Sequence, residues 1–175
     1  RYLGLPLVIG RSKRQTFEFI RKKTTERLQG WKEKQLSEAG EEVLLKSVIM
    51  ALPMYVMSCC LLPKDLCKKI CSAMAKFWWG QKGNEQKIHW LSWGKLSEMK
   101  GEGGLSFRDL YEFNLALLAK QLWRILTRPN LLMSKVIKTR FFKGVSIWKM
   151  ESNGTDSWCC KSLLRAREIV ETGLR

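Results

Sequence analysis

Seven thiol and imidazole side chains in this sequence could hold a metal or act as nucleophile and base, and their spacing decides among those chemistries. Six are cysteines, standing as Cys59–Cys60, Cys67, Cys71 and Cys159–Cys160; the seventh is the single histidine, His89. Structural zinc takes four ligands, usually from two close-spaced pairs. Cys67 and Cys71 with His89 supply one helical i,i+4 pair and no second pair. Vicinal cysteines and an i,i+4 pair are also unlike the disulfide framework of a small secreted domain, so buried thiols in a reducing compartment are expected. A hydrolase needs a nucleophile beside a base, yet His89 is flanked by Ile88 and Trp90, with no Asp, Ser or Cys at a telling spacing. Glu41–Glu42 falls in a predicted first helical turn, where acids complement the helix dipole. Asp65, Asp109 and Asp156 are isolated. GEGG at 101–104 is not followed by Lys-Ser or Lys-Thr, which excludes a P-loop. No catalytic centre emerges, and the segment is expected to be inactive alone.

Binding is what the charge supports. The 175 residues carry 32 Lys and Arg against 16 Asp and Glu, a net +16. The excess is uneven: +7 over residues 1–35, −2 over 36–62, +5 over 63–100, +1 over 101–130 and +5 over 131–175. Basic flanks around an apolar middle suit a core with surfaces facing a polyanion. The uncharged run from Ser47 to Pro63 is too short to span a bilayer and holds Pro53, so a buried, kinked core helix is predicted and no membrane is expected.

The elements that must position these charges read as mostly α, a multi-helix bundle with one or two short strands. YLGLPLV at 2–8 is strand-like, interrupted by Gly4 and Pro6 and followed by the basic loop IGRSKRQ. Phe17, Ile20, Thr24, Leu28 and Trp31 recur at steps of three and four and share one helical face. Arg21, Lys22, Lys23 and Arg27 lie mostly off it. Ser37 is the expected cap of a second helix carrying Val43, Leu44, Val48 and Leu52 on its apolar side. Pro63 is placed at the first position of a third helix, with a stripe of Leu66, Ile70, Ala73 or Met74, and Phe77. Lys64, Lys68, Lys69 and Lys76 decorate its other side, and Gly80 ends it. Lys87–Trp93 alternates like a strand. Ser106-x-x-Asp109 has capping-box spacing before a strongly apolar helix. A basic helix from about 131 and a last one from about Trp158 complete the chain.

FWWGQKGNEQKIHWLSW, residues 77–93, holds four of the eight tryptophans. On a strand, Trp90 and Trp93 face opposite sides, so one closes over Trp78 while the other faces outward, where a ring can stack on a base or sugar.

The motifs YLGLPL, LQGWKEKQLSEAGEEVLLKSVIMALPMYVMSC, LPKDLC, FWWGQK, KIHWLSW, GGLSFRDLYEFNLALLAKQLWR and KTRFF occur in an order and spacing that closely resemble plant LINE-type, non-LTR retrotransposon reverse transcriptases, in the region just downstream of the palm. The resemblance reaches about residue 170 and weakens over 143–160. Ser106, Phe141 and Cys159 depart from it, where Gly, Tyr and a basic residue are common. It implies an RNA-directed DNA polymerase as parent, whose Mg-binding aspartates precede Arg1. It implies that residues 1–15 end the palm, with Tyr2 and Gly4 at the primer grip; that 16–80 form a thumb-like helical bundle; and that 81–175 form a linker-like helical region leading to a further C-terminal domain. The chain lacks an initiator Met and stops mid-pattern at ETGLR, as expected of a piece of a longer polypeptide.

The expected partners are an RNA–DNA or DNA duplex and the remaining domains of the same polyprotein. No cofactor is expected in this segment. Arg11, Lys13, Arg14, Arg21, Lys22, Lys23, Lys68, Lys69 and Lys76 are the expected phosphate contacts, since Lys and Arg on long stems suit sequence-independent binding. The resemblance implies a nuclear location, with a mitochondrial relic as the alternative. Two rival readings stay open: a stand-alone basic protein-interaction domain, and a zinc module built on Cys67, Cys71 and His89.

Overall fold

The computed structural model describes residues 9–10, 12–32, 36–80, 88–142, 146–152 and 156–173. Its helices are α1 (Lys13–Lys32), α2 (Glu38–Leu44), α3 (Met54–Met57), α4 (Lys64–Trp78), α5 (Trp93–Ser97), α6 (Leu110–Thr127), α7 (Leu132–Ile137), α8 (Trp158–Arg165) and α9 (Arg167–Gly173). The mostly α reading holds, and there is no strand among the described residues. The predicted strand at 2–8 lies outside them. The one at 87–93 is a correction: Ile88 to Leu91 is irregular, and Ser92 caps α5 by accepting from the Lys95 amide at 3.3 Å. A Ser at that position offers its hydroxyl to free helical N–H groups, and this local bond overrides the alternation.

The chain divides into two compact units, Arg1–Met54 with Leu62–Phe113, and Tyr55–Leu61 with Asn114–Arg175. In the first, α1 packs on α4. Phe17, Ile20, Thr24 and Leu28 are buried on α1, and Leu66, Ile70, Met74 and Phe77 on α4. Each large apolar side chain so buried contributes roughly 1.5–3 kcal/mol before entropy is charged against it. Trp31 meets Phe77 edge-on with ring centroids 6.3 Å apart. Pro63 is the residue before α4 rather than its first, with an extended ψ of 135°. Gly80, with φ 64°, turns the chain beyond it.

The expected face of α2 is wrong in detail. Ser37 does cap it, accepting from the Gly40 amide at 3.3 Å. Past Leu44, however, the turns widen, so that the Met50 amide bonds back five residues to Leu45 at 3.0 Å. An extra residue per turn rotates the apolar face. Leu45, Ile49 and Met50 go inside, while Val43 stays 61% exposed. A run of turns and the one-turn α3 follow, in place of a single kinked helix.

Leaving α5, the chain folds back through a 3-10 turn at Lys100–Glu102. The amides of Leu105 and Phe107 both bond to the Leu96 carbonyl, at 3.0 and 3.2 Å. Asp109, not Ser106, caps α6, its Oδ1 accepting from the Tyr111 and Glu112 amides at 2.8 and 3.1 Å. Ser106 instead has φ 55°, a conformation Gly reaches without strain, which suits a position where the resemblance leads one to expect Gly.

In the second unit, buried Val56, Met57 and Cys60 share a core with Leu118, Leu122 and Ile125 of α6 and Cys160 and Leu163 of α8. Asn114, fully buried, donates from Nδ2 to the Met57 and Cys60 carbonyls at 2.7 and 3.1 Å. Arg167 donates from Nη1 to the carbonyls of Ile147, Trp148 and Met150, closing the turn before α8. Among the described residues no helix is long and apolar enough to cross a membrane.

Candidate nucleic-acid interface

Eight of the nine expected phosphate contacts stand on α1 or α4 of the first unit. The apolar stripe of α4 is held against the core, and this turns Lys68, Lys69 and Lys76 outward, all exposed. Lys69 and Lys76, seven residues apart, fall on one line of the helix surface, and Lys64 and Lys68, four apart, on a second. Lys64 Nζ sits 4.6 Å above the centre of the Tyr111 ring, which positions it toward the start of α6. On α1, Arg14, Lys22 and Lys23 are exposed. Consecutive residues point about 100° apart on a helix, so Lys22 and Lys23 extend the charge around α1 instead of stacking along one line. Arg21 is ion-paired with Glu18. Lys13 Nζ donates to the Gly10 carbonyl at 2.7 Å. Tyr2, Gly4 and Arg11 lie outside the described residues.

The tryptophan-rich stretch serves mainly to close this unit. Phe107, 1% exposed, takes Trp93 on its face (5.1 Å, 7°) and Trp78 on its edge (5.5 Å, 77°). Trp93 therefore joins Trp78 through Phe107. Trp90 faces outward, 76% exposed. His89 stacks on Trp79 with ring centroids 6.2 Å apart.

Phe107 was invisible to periodicity, because it lies in an irregular stretch. Equally unforeseen is the role of Lys46, although its isolation as the one base in residues 36–62 was a signal. Its Nζ pairs with Glu42 at 2.7 Å, donates to the Leu105 carbonyl at 2.6 Å and lies 5.4 Å from the Phe107 ring centre. Lys100 Nζ joins Glu42 at 2.9 Å. Hydrogen bonds from these two ammonium groups hold the Glu42 carboxyl below its ordinary range. Its neighbour Glu41 is pushed up, by burial first and by Glu38 second.

Cys67 and Cys71 lie on the buried side of α4, where desolvation raises their thiols to about 12 and about 11. Thiols so protonated are weak nucleophiles and weak ligands. Among the described residues no three His, Cys, Asp or Glu side chains converge as a metal site would require.

Fold and surface together define a basic, mostly α-helical chain whose exposed Lys and Arg side chains stand on helices anchored in a core. No family model matches the chain, and no solved structure matches it. Over 126 residues it is 45% identical to an uncharacterized mitochondrial protein of Arabidopsis thaliana, AtMg00310, covering 71% of this chain and 82% of that protein. The chain belongs to the family of that protein. It is also 31% identical over 173 residues to a putative ribonuclease H protein of Arabidopsis thaliana, At1g65750. That match takes in 97% of this chain and 28% of the larger protein.

Proposed function

We propose that this chain grips the sugar–phosphate backbone of a nucleic-acid duplex, as the thumb-like, non-catalytic part of a non-LTR reverse transcriptase. The observation that carries the reading is the α1–α4 pair: one shared core, and Arg14, Lys22, Lys23, Lys68, Lys69 and Lys76 left outside it. Charge without fixed geometry suits an RNA–DNA or DNA duplex bound without regard to sequence. The ordered series of motifs from YLGLPL to KTRFF supports the polymerase parent. The larger relative supports a place within a longer chain of several domains, which would be the second partner of this segment.

Ribonuclease H chemistry is not carried over from that relative's name. It would need carboxylates converging on divalent metal ions, and none converge among the described residues. By the resemblance, the Mg-binding aspartates of the parent precede Arg1, and no step is routed through this chain. The polymerase reading carries a nuclear address and the first relative's name a mitochondrial one. A fluorescent fusion expressed in plant cells separates the two.

The test is the salt dependence of duplex binding. Each phosphate contact contributes a slope of about −0.9 in log K against log salt on B-DNA. Replacing Lys68, Lys69 and Lys76 together by Gln should flatten the slope by about 2.7 if each meets a phosphate. An unchanged slope overturns the assignment of α4, and absence of any duplex binding at moderate salt overturns the function.

A further inference from the structure

The second unit holds a pair of sulfur atoms that the duplex-binding reading does not use. Cys60 and Cys159 are 99 residues apart in sequence, yet their Sγ atoms lie 3.0 Å from each other. Two further hydrogen bonds join the segments that carry them. The Trp158 indole donates to the Leu61 carbonyl at 2.9 Å, and the Leu61 amide donates to Ser162 Oγ at 2.8 Å. Each cysteine is thus next in sequence to a residue that ties α8 to the 55–61 segment. Cys60 is 1% exposed and Cys159 is half-buried, within reach of a small solute.

We propose that Cys60 and Cys159 form a reversible disulfide, a modification site within the second unit that responds to oxidants of the peroxide class. A disulfide needs a separation of about 2 Å, so closure requires roughly one ångström of side-chain movement and no refolding. The two thiols are unequal. Cys159, half-buried, can be reached by a peroxide, whereas Cys60 is 1% exposed and meets Cys159, with which it shares a hydrogen bond that either sulfur can donate. Cys159 is then the attacking thiolate and Cys60 the resolving thiol.

In the first step Cys159 Sγ attacks one peroxide oxygen, the O–O bond breaks, and hydroxide leaves, giving a sulfenic acid. In the second, Cys60 Sγ loses its proton to hydroxide and attacks Cys159 Sγ. The S–S bond forms, the S–O bond breaks, and a second hydroxide leaves and is protonated. Two thiols and one hydrogen peroxide give one disulfide and two waters, the sulfurs losing two electrons and the peroxide gaining them. Cys67 and Cys71 of the first unit, their thiols raised by burial, serve as internal controls that stay reduced.

The test treats the reduced chain with limiting hydrogen peroxide, blocks remaining thiols, and maps linked peptides by mass spectrometry without reduction. A Cys59→Ser, Cys160→Ser double variant makes the assignment unambiguous at both vicinal positions. The expected result is a Cys60–Cys159 link within one chain, reversed by dithiothreitol. The melting temperature should rise by about 10 °C, because the bond closes a long loop in the unfolded chain. Cys159→Ser abolishes both effects. Links through Cys59, a dimer through Cys159, or Cys159 oxidised to the sulfinic acid while Cys60 stays alkylatable would each overturn the proposal. The map on the unsubstituted chain decides it even where a serine variant fails to fold.

Discussion

Trp93 lies flat on Phe107, with ring centroids 5.1 Å apart and planes 7° from parallel, and backbone geometry creates the contact. The amides of Leu105 and Phe107 converge on the Leu96 carbonyl, folding the chain back over α5. Phe107 then fills the space between Trp93, Trp78 and the Lys46 ammonium. Phe107→Ala should cost about 3–5 kcal/mol, the usual range for an aromatic deleted from a core. Urea titration followed by tryptophan emission reads both the loss and the exposure of Trp78 and Trp93. A cost below about 1 kcal/mol would mean that Phe107 does not join these rings.

Glu41 and Glu42 are neighbours with opposite electrostatic signs. The Glu42 carboxyl is held below its ordinary value of 4.5 by Lys46 and Lys100. Its contribution is present above that value and is lost as pH falls through the lower folded one. Glu41 is raised by burial, so the folded state favours its protonated form and that advantage is lost as pH rises through its folded value. Glu42→Gln should therefore lower neutral-pH stability by no more than about 1 kcal/mol, since both ion pairs are screened by solvent, with a deficit that shrinks in acid. Glu41→Gln should leave neutral stability equal or higher. Urea midpoints for both variants at neutral pH and well below 4.5 check the signs, and equal pH profiles would refute the separation.

The glycines of GEGG differ although the motif looks uniform. A Cβ on Gly104 would collide with the Glu98 carbonyl and lie 2.8 Å from that of Lys95, both backbone. Gly103 has φ 84°. Nothing lies within 4 Å of a Cβ on Gly101. Alanine should thus cost about 2–4 kcal/mol at 104 and about 1–2 at 103, and stay within about 0.5 at 101. Thermal melts of the three variants give the ranking, and a neutral Gly104→Ala would contradict the close approach.

Much of this was legible where one rule acts over a long element. The faces of α1 and α4 follow from a period of three and four, and the exposure of Lys68, Lys69 and Lys76 follows from the same count. Reading failed where a local hydrogen bond outweighed pattern. Ser92 capped a helix where alternation at 87–93 suggested a strand, and Asp109 took the capping role given to Ser106. The wide turns at Leu45–Ile49 rotated the α2 face, which no spacing rule anticipates. Lys46 and Phe107 meet across loops, so their partnership belongs to tertiary geometry. For the proposed phosphate contacts, residue type was readable, and so was the exposure of Arg14, Lys22, Lys23, Lys68, Lys69 and Lys76, while Lys13 and Arg21 are half-buried; which of them would touch one duplex depends on how a ligand follows α1 and α4.

Two buried polar side chains should respond oppositely to apolar replacement. Thr24 is fully buried on the face of α1 that carries Phe17 and Ile20, and among the described residues its Oγ1 has no hydrogen-bond partner. A hydroxyl buried without a partner retains its desolvation cost. Thr24→Val keeps the shape and removes that cost, so it should stabilise the chain by about 1 kcal/mol. Asn114 is equally buried but bonds the Met57 and Cys60 carbonyls, which no apolar residue can replace. Asn114→Leu should cost about 2–4 kcal/mol, from two stranded carbonyls and an altered shape. Denaturant midpoints at constant m-value measure both. Thr24→Val also leaves every exposed Lys and Arg of α1 and α4 in place, so its duplex affinity and salt slope should match the parent. A Thr24→Val chain that is less stable than the parent would mean the hydroxyl holds a partner in the folded protein.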